Sequence, residues 1–159
     1  MRIGVGWDSH RFAAGRQLIL GGVHLPDGPG LAGHSDADAV AHAITDAVLG
    51  AAALGDIGTH FPPTDERWRD ADSLELLQQA VALVRSEGFR IGNVDVTVLC
   101  ERPKLGPYTS RMRERLAGAL GVSEGQVSVK AKTNEGMGWI GRGEGIGAVA
   151  VALLLPAAR

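Results

Sequence analysis

The stretch Arg2–His10, RIGVGWDSH, is the most informative part of the sequence for the fold, because a β-strand pattern is followed directly by side chains that can bind a metal ion. If the strand continues to the end of this stretch, Asp8 and His10 point to the same side of the sheet, since alternate residues of a strand share a face. A carboxylate and an imidazole are both ligands that a divalent metal ion takes. The sequence therefore predicts that the first strand contributes two ligands to a metal site.

The third ligand is expected from the helix that follows, in which Ser35 is a candidate N-cap and Asp38 lies at the capping-box spacing. The apolar positions of this helix recur at Val40, Ile44 and Val48. His42 lies about one turn into the helix, and Asp46 follows on the same helical face. We expect His42 to be the third ligand and Asp46 to orient its ring.

Two histidines and one carboxylate are compatible with several kinds of metalloprotein. Three protein ligands leave the fourth tetrahedral position of zinc to a substrate, which predicts a catalytic zinc site at Asp8, His10 and His42. The same ligand set holds non-haem iron(II) in oxygenases, and the spacing does not separate the two metals. A third alternative is a protein in which the metal site is only structural, or one that binds prenyl phosphates without converting them.

Strand and helix patterns are interspersed along the rest of the chain. Strands are predicted at Arg2–Gly6, Gln17–Val23, Asn93–Glu101, Val127–Thr133 and Ile146–Leu155. Besides the helix from Ser35, helices are predicted at Ser73–Glu87 and from about Pro107 to just before Gly121. This pattern indicates one domain, residues 1–159, in which helices pack on a face of a sheet, in an α+β or α/β arrangement.

Charge and cysteine content limit the expected partners and compartment. The 159 residues carry 16 basic and 18 acidic side chains, a formal charge of -2. This balance argues against a groove for nucleic acid or a membrane surface, both of which need a positive field. With a single cysteine, Cys100, and no apolar signal segment, a cytoplasmic protein is expected, and Cys100 is interpreted as a small buried residue.

Polar segments near the predicted helix are candidates for substrate binding. His34 and Ser35 precede the helix, where free backbone N–H groups attract phosphate. The stretch from Gly55 to Asp65 combines polar residues with glycine and proline, which is typical of a ligand-binding loop. In this loop Asp56 and Asp65 are candidates to bind substrate hydroxyls, with the role of ordinary unpaired surface aspartates as the alternative.

The segment Lys130–Glu135 ends a predicted strand and enters a glycine-rich stretch. Its alternation places Lys130, Lys132 and Asn134 on one face, with Thr133 and Glu135 on the other. Glu135 is a candidate ligand for a harder ion such as Mg²⁺, which prefers a carboxylate together with phosphate oxygens.

Several motifs, in order and spacing, resemble those of the 2-C-methyl-D-erythritol 2,4-cyclodiphosphate synthases over nearly the full chain. They are Gly6–Arg11, His34–Asp38, Leu54–Gly58, Phe61–Asp65, Pro103–Leu105 and Gly141–Ile146. The resemblance implies an α+β fold with a single layer of mixed β-sheet and helices on one face, assembled as a homotrimer. It also implies a phosphorus–oxygen lyase of the non-mevalonate isoprenoid pathway, which converts 4-diphosphocytidyl-2-C-methyl-D-erythritol 2-phosphate to the cyclic diphosphate and releases CMP.

The resemblance further assigns roles to individual positions. It implies one Zn²⁺ per subunit on Asp8, His10 and His42, Mg²⁺ or Mn²⁺ on Glu135, and catalytic roles for His34 and Thr133 in steadying the phosphates. The substrate contacts that it implies are Asp8, His10, His34, Ser35, Asp56, Ile57, Gly58, Phe61, Pro62, Pro63, Thr64, Asp65, Cys100, Pro103, Lys104, Leu105, Gly106, Lys132, Thr133, Asn134, Glu135, Trp139 and Arg142. Active sites are expected between subunits, and Arg142 and Glu144 are expected to bind an isoprenoid diphosphate in a cavity on the threefold axis.

Overall fold

The structure, a computed structural model, describes residues 1–157 as seven strands, five helices and three short 3₁₀ turns. The strands are β1 Arg2–Ala13, β2 Leu18–Leu20, β3 Val23–Leu25, β4 Gly30–Leu31, β5 Phe89–Leu99, β6 Val127–Lys132 and β7 Gly145–Pro156. The helices are α1 Ala39–Ala51, α2 Ile57–His60, α3 Ser73–Ser86, α4 Thr109–Leu120 and α5 Gly138–Gly141.

The main sheet is mixed, as the resemblance implied. Its strand order is β4-β1-β7-β5-β6, with β5 and β6 parallel and the other neighbouring pairs antiparallel. Strand β1 continues through Asp8 and His10, which pair with Ala148 and Ile146 of β7. The condition for the predicted metal site, a first strand that extends beyond Gly6, is therefore met.

Helix α1 lies at the centre of the core, and its predicted apolar positions Val40, Ile44 and Val48 are fully buried. The helix also carries buried alanines, which allow it to pack closely on β1. Where β1 crosses under α1, Gly4 and Gly6 present bare backbone to the helix, because a Cβ atom at Gly6 would lie 1.9 Å from the Ala43 carbonyl oxygen. Glycine at these two positions therefore brings the helix that carries His42 down onto the strand that carries the other two ligands.

The predicted helices α3 and α4 are confirmed, with small differences at their ends. The predicted apolar positions are buried at Leu74, Leu77, Val81 and Val84 in α3, and at Met112, Leu116 and Leu120 in α4. Gly121, which follows α4, adopts a left-handed φ of 67°, the conformation that favours glycine at a helix C-terminus. Before α4, residues 106–108 form a 3₁₀ turn, so the regular helix begins at Thr109.

The predicted start of α1 at Ser35 is wrong. The helix begins at Ala39, and its N-cap is Asp38, whose carboxylate accepts hydrogen bonds from the backbone N–H groups of Val40 and Ala41. The same carboxylate accepts from Gly21 and Gly22, and burial together with the nearby charge of Asp36 raises the pKa of Asp38 to about 6. The anion at the helix start is therefore a side chain of the protein itself, so a phosphate site made of free helical N–H groups beside Ser35 is excluded.

The predicted strand Gln17–Val23 is also corrected. Two short strands, β2 and β3, form a separate antiparallel hairpin whose turn is Gly21-Gly22. Both glycines have positive φ, 56° and 71°, so the chain reverses where a continuous strand was expected. The apolar residues of this segment lie in strands as predicted, but the fold has this two-stranded sheet in addition to the single predicted layer.

The helices α1, α3 and α4 cover one face of the main sheet, and the opposite face is open in the single chain. On β1 that open face carries Ile3, Val5 and Trp7, which are 69%, 68% and 51% exposed. Contiguous exposed apolar side chains on a sheet are typical of a surface that another chain covers. None of the helices within residues 1–157 combines the length and apolar character that crossing a membrane requires.

Candidate active site

Asp8, His10 and His42 converge at the point where β1 meets α1. The Oδ2 atom of Asp8 lies 2.8 Å from His10 Nε2 and 3.1 Å from His42 Nδ1, and the two ring nitrogens are 3.2 Å apart. Strand alternation places the first two side chains on one face, and the close approach of α1 brings the third to them. The structure thus brings together the three side chains that the sequence predicted as metal ligands.

Each imidazole is held through its other nitrogen. His10 Nδ1 lies 2.6 Å from the Ala32 carbonyl oxygen and therefore donates to it, which leaves Nε2 as the free lone pair. His42 Nε2 lies 2.8 Å from the hydroxyl of Ser73 and 3.1 Å from that of Ser35. The predicted role of Asp46 in orienting His42 is wrong, because Asp46 instead accepts a hydrogen bond from the backbone of Ile57 at 2.7 Å.

The three side chains perturb one another electrostatically. Burial raises the pKa of Asp8, but hydrogen bonds and charge from His10 and His42, when these rings are protonated, outweigh it and hold that pKa below its usual range. Burial likewise lowers the pKa of His10, but the Asp8 carboxylate more than compensates and the net shift is upward. A carboxylate kept ionised between two imidazoles is a suitable anionic ligand for a cation.

The donor set fits a divalent metal ion. The three candidate ligand atoms lie within 4.8 Å of one another, and they are the only such group of His, Cys, Asp and Glu side chains within residues 1–157. Two imidazole lone pairs aimed at one point repel each other unless a proton or a metal lies between them. Nitrogen and oxygen donors suit zinc as well as iron(II), so the geometry supports a divalent metal without identifying it.

A cavity of about 260 Å³ opens beside the three ligands. Its walls include His10, His34, Ser35, His42, Ile57, Gly58, Phe61, Pro63, Trp68 and Leu76. Eight of these ten residues were predicted as ligands or substrate contacts from the sequence. Trp68 and Leu76 were missed, although the aromatic Trp68 shortly after the predicted loop was a usable signal: its ring packs edge-on against Phe61, with centroids 5.1 Å apart.

The loop that was predicted to bind substrate is ordered by its own aspartates. Asp56 accepts hydrogen bonds from the backbone and hydroxyl of Thr59, both at 2.8 Å, and so caps the short helix α2. The carboxylate of Asp65 accepts a hydrogen bond from the Arg67 side chain. The carbonyl oxygen of Asp65 accepts another from His34 Nε2, at 3.1 Å. Pro62 and Thr64 lie between these anchors. The loop therefore forms part of the wall of the cavity beside His42, and His34 forms another part of the same wall.

The remaining predicted contacts form a second group at the ends of β5 and β6. Here Glu101 accepts hydrogen bonds from the backbone of Asn134 and Gly136, which joins the Cys100–Gly106 loop to the segment Lys132–Glu135. Thr133 donates to Glu135 at 3.2 Å. Across the stretch that the structure describes, no hydrogen bond connects this group to the cavity beside His42.

The alternation predicted for residues 130–135 holds only in part. Strand β6 ends at Lys132, so Asn134 lies beyond the strand and its position does not follow from strand alternation. Lys130 Nζ lies 2.6 Å from Asp95 Oδ2. Lys130 belongs neither to the cavity beside His42 nor to the group at the ends of β5 and β6. The strand was expected to reach Thr133 but ends one residue earlier, and the left-handed φ of 52° at Glu135 marks the turn that follows.

Trp139 and Arg142 belong to neither of these two sets. Trp139 lines a cavity of about 700 Å³ together with Arg11 and Glu144, and His10 is in the wall of this cavity as well as of the one beside His42. Arg142 Nε donates to Glu144 Oε1 at 2.6 Å, and both side chains are exposed. The structure therefore places Arg142 beside Glu144, which is in the wall of this cavity.

Cys100 is expected to resist alkylation in the folded protein. Burial raises the pKa of its thiol to about 11, so only about one thiol in a thousand is ionised at pH 8. Timed labelling with iodoacetamide, with and without denaturant, checks this. Labelling of the native protein at the rate of the unfolded one would contradict it.

Known proteins resemble this chain over most of its length. The YgbB family model matches residues 1–155. The 2-C-methyl-D-erythritol 2,4-cyclodiphosphate synthase of Symbiobacterium thermophilum is 59% identical over 97% of this chain and 98% of its own length. The bifunctional enzyme IspD/IspF of an Anaeromyxobacter strain is 61% identical, but the chain spans only 39% of that longer protein. The solved Plasmodium falciparum IspF in complex with CDP superposes with a TM-score of 0.86 at 35% identity, covering 99% of this chain and 97% of that one. The chain therefore belongs to the YgbB family, together with the 2-C-methyl-D-erythritol 2,4-cyclodiphosphate synthases that it matches from end to end.

Proposed function

We propose that this chain converts 4-diphosphocytidyl-2-C-methyl-D-erythritol 2-phosphate to 2-C-methyl-D-erythritol 2,4-cyclodiphosphate and releases CMP. The observation that carries the proposal is the convergence of Asp8, His10 and His42 beside a cavity lined by the predicted substrate loop. The relatives that match nearly the whole chain are named for this activity. The oxygenase alternative is not favoured, because these relatives are synthases although the ligand set alone would suit iron.

In this proposal Asp8, His10 and His42 hold Zn²⁺, and Glu135 holds Mg²⁺ or Mn²⁺. When bound, the two ions supply positive charge that neutralises the diphosphate and makes its β-phosphorus more electrophilic. The ligand atoms Asp8 Oδ2, His10 Nε2 and His42 Nδ1 face one point, which suits a single ion. The exposed carboxylate of Glu135, in a turn after β6, is accessible to a phosphate-bound ion.

The protein residues bind and orient the substrate, whose own 2-phosphate is the nucleophile. His34, held in the cavity wall by the Asp65 carbonyl oxygen, and Thr133 steady the phosphates during the attack. Ile57, Gly58 and Phe61 shape the part of the cavity that takes the methylerythritol. Because nucleophile and electrophile belong to one molecule, holding that molecule folded removes much of the entropic barrier, and no serine or cysteine nucleophile is required.

We further propose that the active site forms between subunits of a homotrimer. The cavity beside His42 and the group at Cys100–Gly106 and Lys132–Glu135 are not joined by hydrogen bonds in the described part of one chain, so a neighbouring copy would complete the site. The exposed apolar face at Ile3, Val5 and Trp7 offers a surface for that copy. The second group would take the cytidine, in keeping with the CDP complex of the Plasmodium relative.

We propose that an isoprenoid diphosphate binds near Arg142 and Glu144, in the cavity of about 700 Å³ that Glu144 lines, and that this cavity lies on the threefold axis of the trimer. Arg142 supplies the cation for the diphosphate. Calorimetric titration of the wild type and of Arg142→Ala with a prenyl diphosphate tests this role. Equal affinities in the two proteins would show that Arg142 does not bind the diphosphate.

The test of the main proposal is turnover followed by ³¹P NMR. Incubation of the protein with the cytidine diphosphate substrate and Mg²⁺ is expected to give CMP and a cyclic diphosphate in equal amounts. Treatment with a chelator should abolish both products, and Zn²⁺ together with Mg²⁺ should restore them. Release of CMP without the cyclic product would contradict the proposal, as would bound iron with oxygen consumption. A protein whose trimer dissociates on chelation, with no turnover before it, would instead be a structural metal protein.

A further inference from the structure

We propose that Asp36 and Ser73 form a positioning pair that fixes which nitrogen of His42 carries a proton, and so presents His42 Nδ1 to the metal ion. The inference rests on the metal site proposed above and names residues that act on it through His42. Neither residue was predicted from the sequence to contribute to the site. They come from different parts of the chain, the loop before α1 and the first turn of α3.

The contacts of Ser73 carry the proposal. Its side chain is fully buried, and its Oγ atom lies 2.8 Å from His42 Nε2. The same hydroxyl donates to Asp36 Oδ1, and the backbone N–H of Ser73 donates to Asp36 Oδ2 at 3.1 Å. Asp36 Oδ1 also accepts from the backbone N–H of Asp38 at 3.1 Å. Both carboxylate oxygens of Asp36 therefore face donors.

The direction of these hydrogen bonds follows from counting hydrogens. A carboxylate only accepts, so the single hydrogen of the Ser73 hydroxyl must point to Asp36. The Ser73 oxygen then has only lone pairs left for His42, so His42 Nε2 must be the donor. A second acceptor for that N–H is the hydroxyl of Ser35, at 3.1 Å, which itself accepts from the backbone of Ala37.

The consequence for the site is a fixed ring form. With the proton on Nε2, the lone pair of the neutral His42 ring is on Nδ1, the atom that faces Asp8 Oδ2 at 3.1 Å and His10 Nε2 at 3.2 Å. The opposite ring form would place a hydrogen at that point and block a metal ion. Residues that orient a ligand in this way change metal affinity about 10- to 100-fold when they are removed.

The variant Asp36→Asn tests the pair because an amide cannot accept on both sides. Whichever way the amide faces, its NH₂ group meets either the Ser73 hydroxyl and the Asp38 N–H, or the Ser73 N–H. The first orientation no longer accepts the hydrogen of the Ser73 hydroxyl, and the second still accepts it but leaves the Ser73 N–H without an acceptor, so the hydrogen-bond direction is imposed in only part of the molecules. We expect Zn²⁺ affinity, measured in competition with a chromophoric chelator, to fall about 10- to 100-fold. In the metal-free protein, long-range ¹H–¹⁵N spectra should show that a smaller fraction of His42 rings carries the proton on Nε2 than in the wild type.

The matched control is Asp70→Asn. It removes the same charge from an exposed carboxylate that lines the same depression as Asp36, and its left-handed φ of 54° is one that asparagine tolerates. Zn²⁺ affinity and the ring spectrum of this control should match the wild type. Thermal unfolding of each metal-free variant identifies any loss of folding.

Ser73→Ala provides an independent variant. Its Zn²⁺ affinity should fall by a similar factor, and adding Asp36→Asn to it should cause no further loss, because both changes break one chain of hydrogen bonds. Wild-type Zn²⁺ affinity in Asp36→Asn, or a His42 Nε2 that is protonated as fully as in the wild type, would overturn the proposal. If the wild type itself binds no Zn²⁺, the proposed metal site fails, and the ring spectra of the metal-free proteins still decide whether the pair acts on His42.

Discussion

Replacing His42 by alanine is expected to lower kcat/KM for CMP release by at least about a thousandfold. The change leaves Asp8 and His10 as the only protein ligands and removes the one that reaches the site from α1. The reaction has no protein nucleophile in our proposal, so activity depends on charge neutralisation and substrate orientation. Losing a metal ligand removes both at once.

His24→Ala is the matched control for this change. It removes an imidazole from β3, where the side chain is exposed and lies outside the cavity beside His42. Its kcat/KM and metal content should equal those of the wild type. Circular dichroism of His42→Ala should retain the wild-type helix signal, since the ring lies at the edge of the core. Turnover in His42→Ala within tenfold of the wild type, at reduced metal content, would contradict our assignment of this ligand.

The convergence of the three ligands could be predicted because it depends on two local periodicities. Strand alternation puts Asp8 and His10 on one face, and the helical stripe that buries Val40, Ile44 and Val48 also determines the direction in which His42 points. Each is a property of a few consecutive residues. The packing of one amphipathic helix on its neighbouring strand then brings the two sets together.

The partners of His42 could not be predicted in the same way. Asp46 is four residues from His42 on the same helix, which made it the obvious candidate, but its carboxylate is satisfied by the backbone of Ile57. The actual partner, Ser73, is 31 residues away and reaches the ring only because α3 packs against α1. Such a contact depends on the arrangement of helices, about which sequence spacing contains no information.

The error at the start of α1 has a similar origin. Ser35 and Asp38 are both good capping residues, and the sequence alone favours neither strongly. The choice is made by the hairpin turn at Gly21 and Gly22, whose backbone N–H groups also bind Asp38 and hold it at the helix start. Ser35 is then free to bind His42, so the residue that was interpreted as a cap belongs to the site.

Gly6→Ala is expected to lower the free energy of unfolding by about 3 kcal/mol or more. A Cβ atom at this position would lie 1.9 Å from the Ala43 carbonyl oxygen and 2.7 Å from the Ala47 backbone nitrogen. Both are main-chain atoms of α1, so no side chain can rotate away to make room. The helix must move off the strand, and the surrounding core must loosen with it.

The control is Gly50→Ala, in helix α1, the helix that Gly6 of β1 contacts. Apart from its chain neighbours and the nearby backbone of its own helix, a Cβ atom there would meet nothing within 4 Å, and the residue lies inside α1. Because alanine restricts the unfolded chain and favours the helix, Gly50→Ala should raise the free energy of unfolding by about 0.5–1 kcal/mol. Urea denaturation of both variants in parallel therefore tests whether the same chemical change lowers the free energy of unfolding at Gly6 and raises it at Gly50.

Gly6→Ala should also weaken metal binding, which links the packing of the core to the proposed chemistry. Gly6 lies two residues before Asp8 on β1, and Ala43 follows His42 directly on α1. A helix displaced at Ala43 moves His42 away from the other two ligands, so Zn²⁺ affinity should fall in Gly6→Ala and stay unchanged in Gly50→Ala. A Gly6→Ala protein that unfolds at the wild-type urea concentration would contradict the close approach of helix and strand. One that is destabilised yet binds Zn²⁺ as tightly as the wild type would show that the site tolerates the movement of α1.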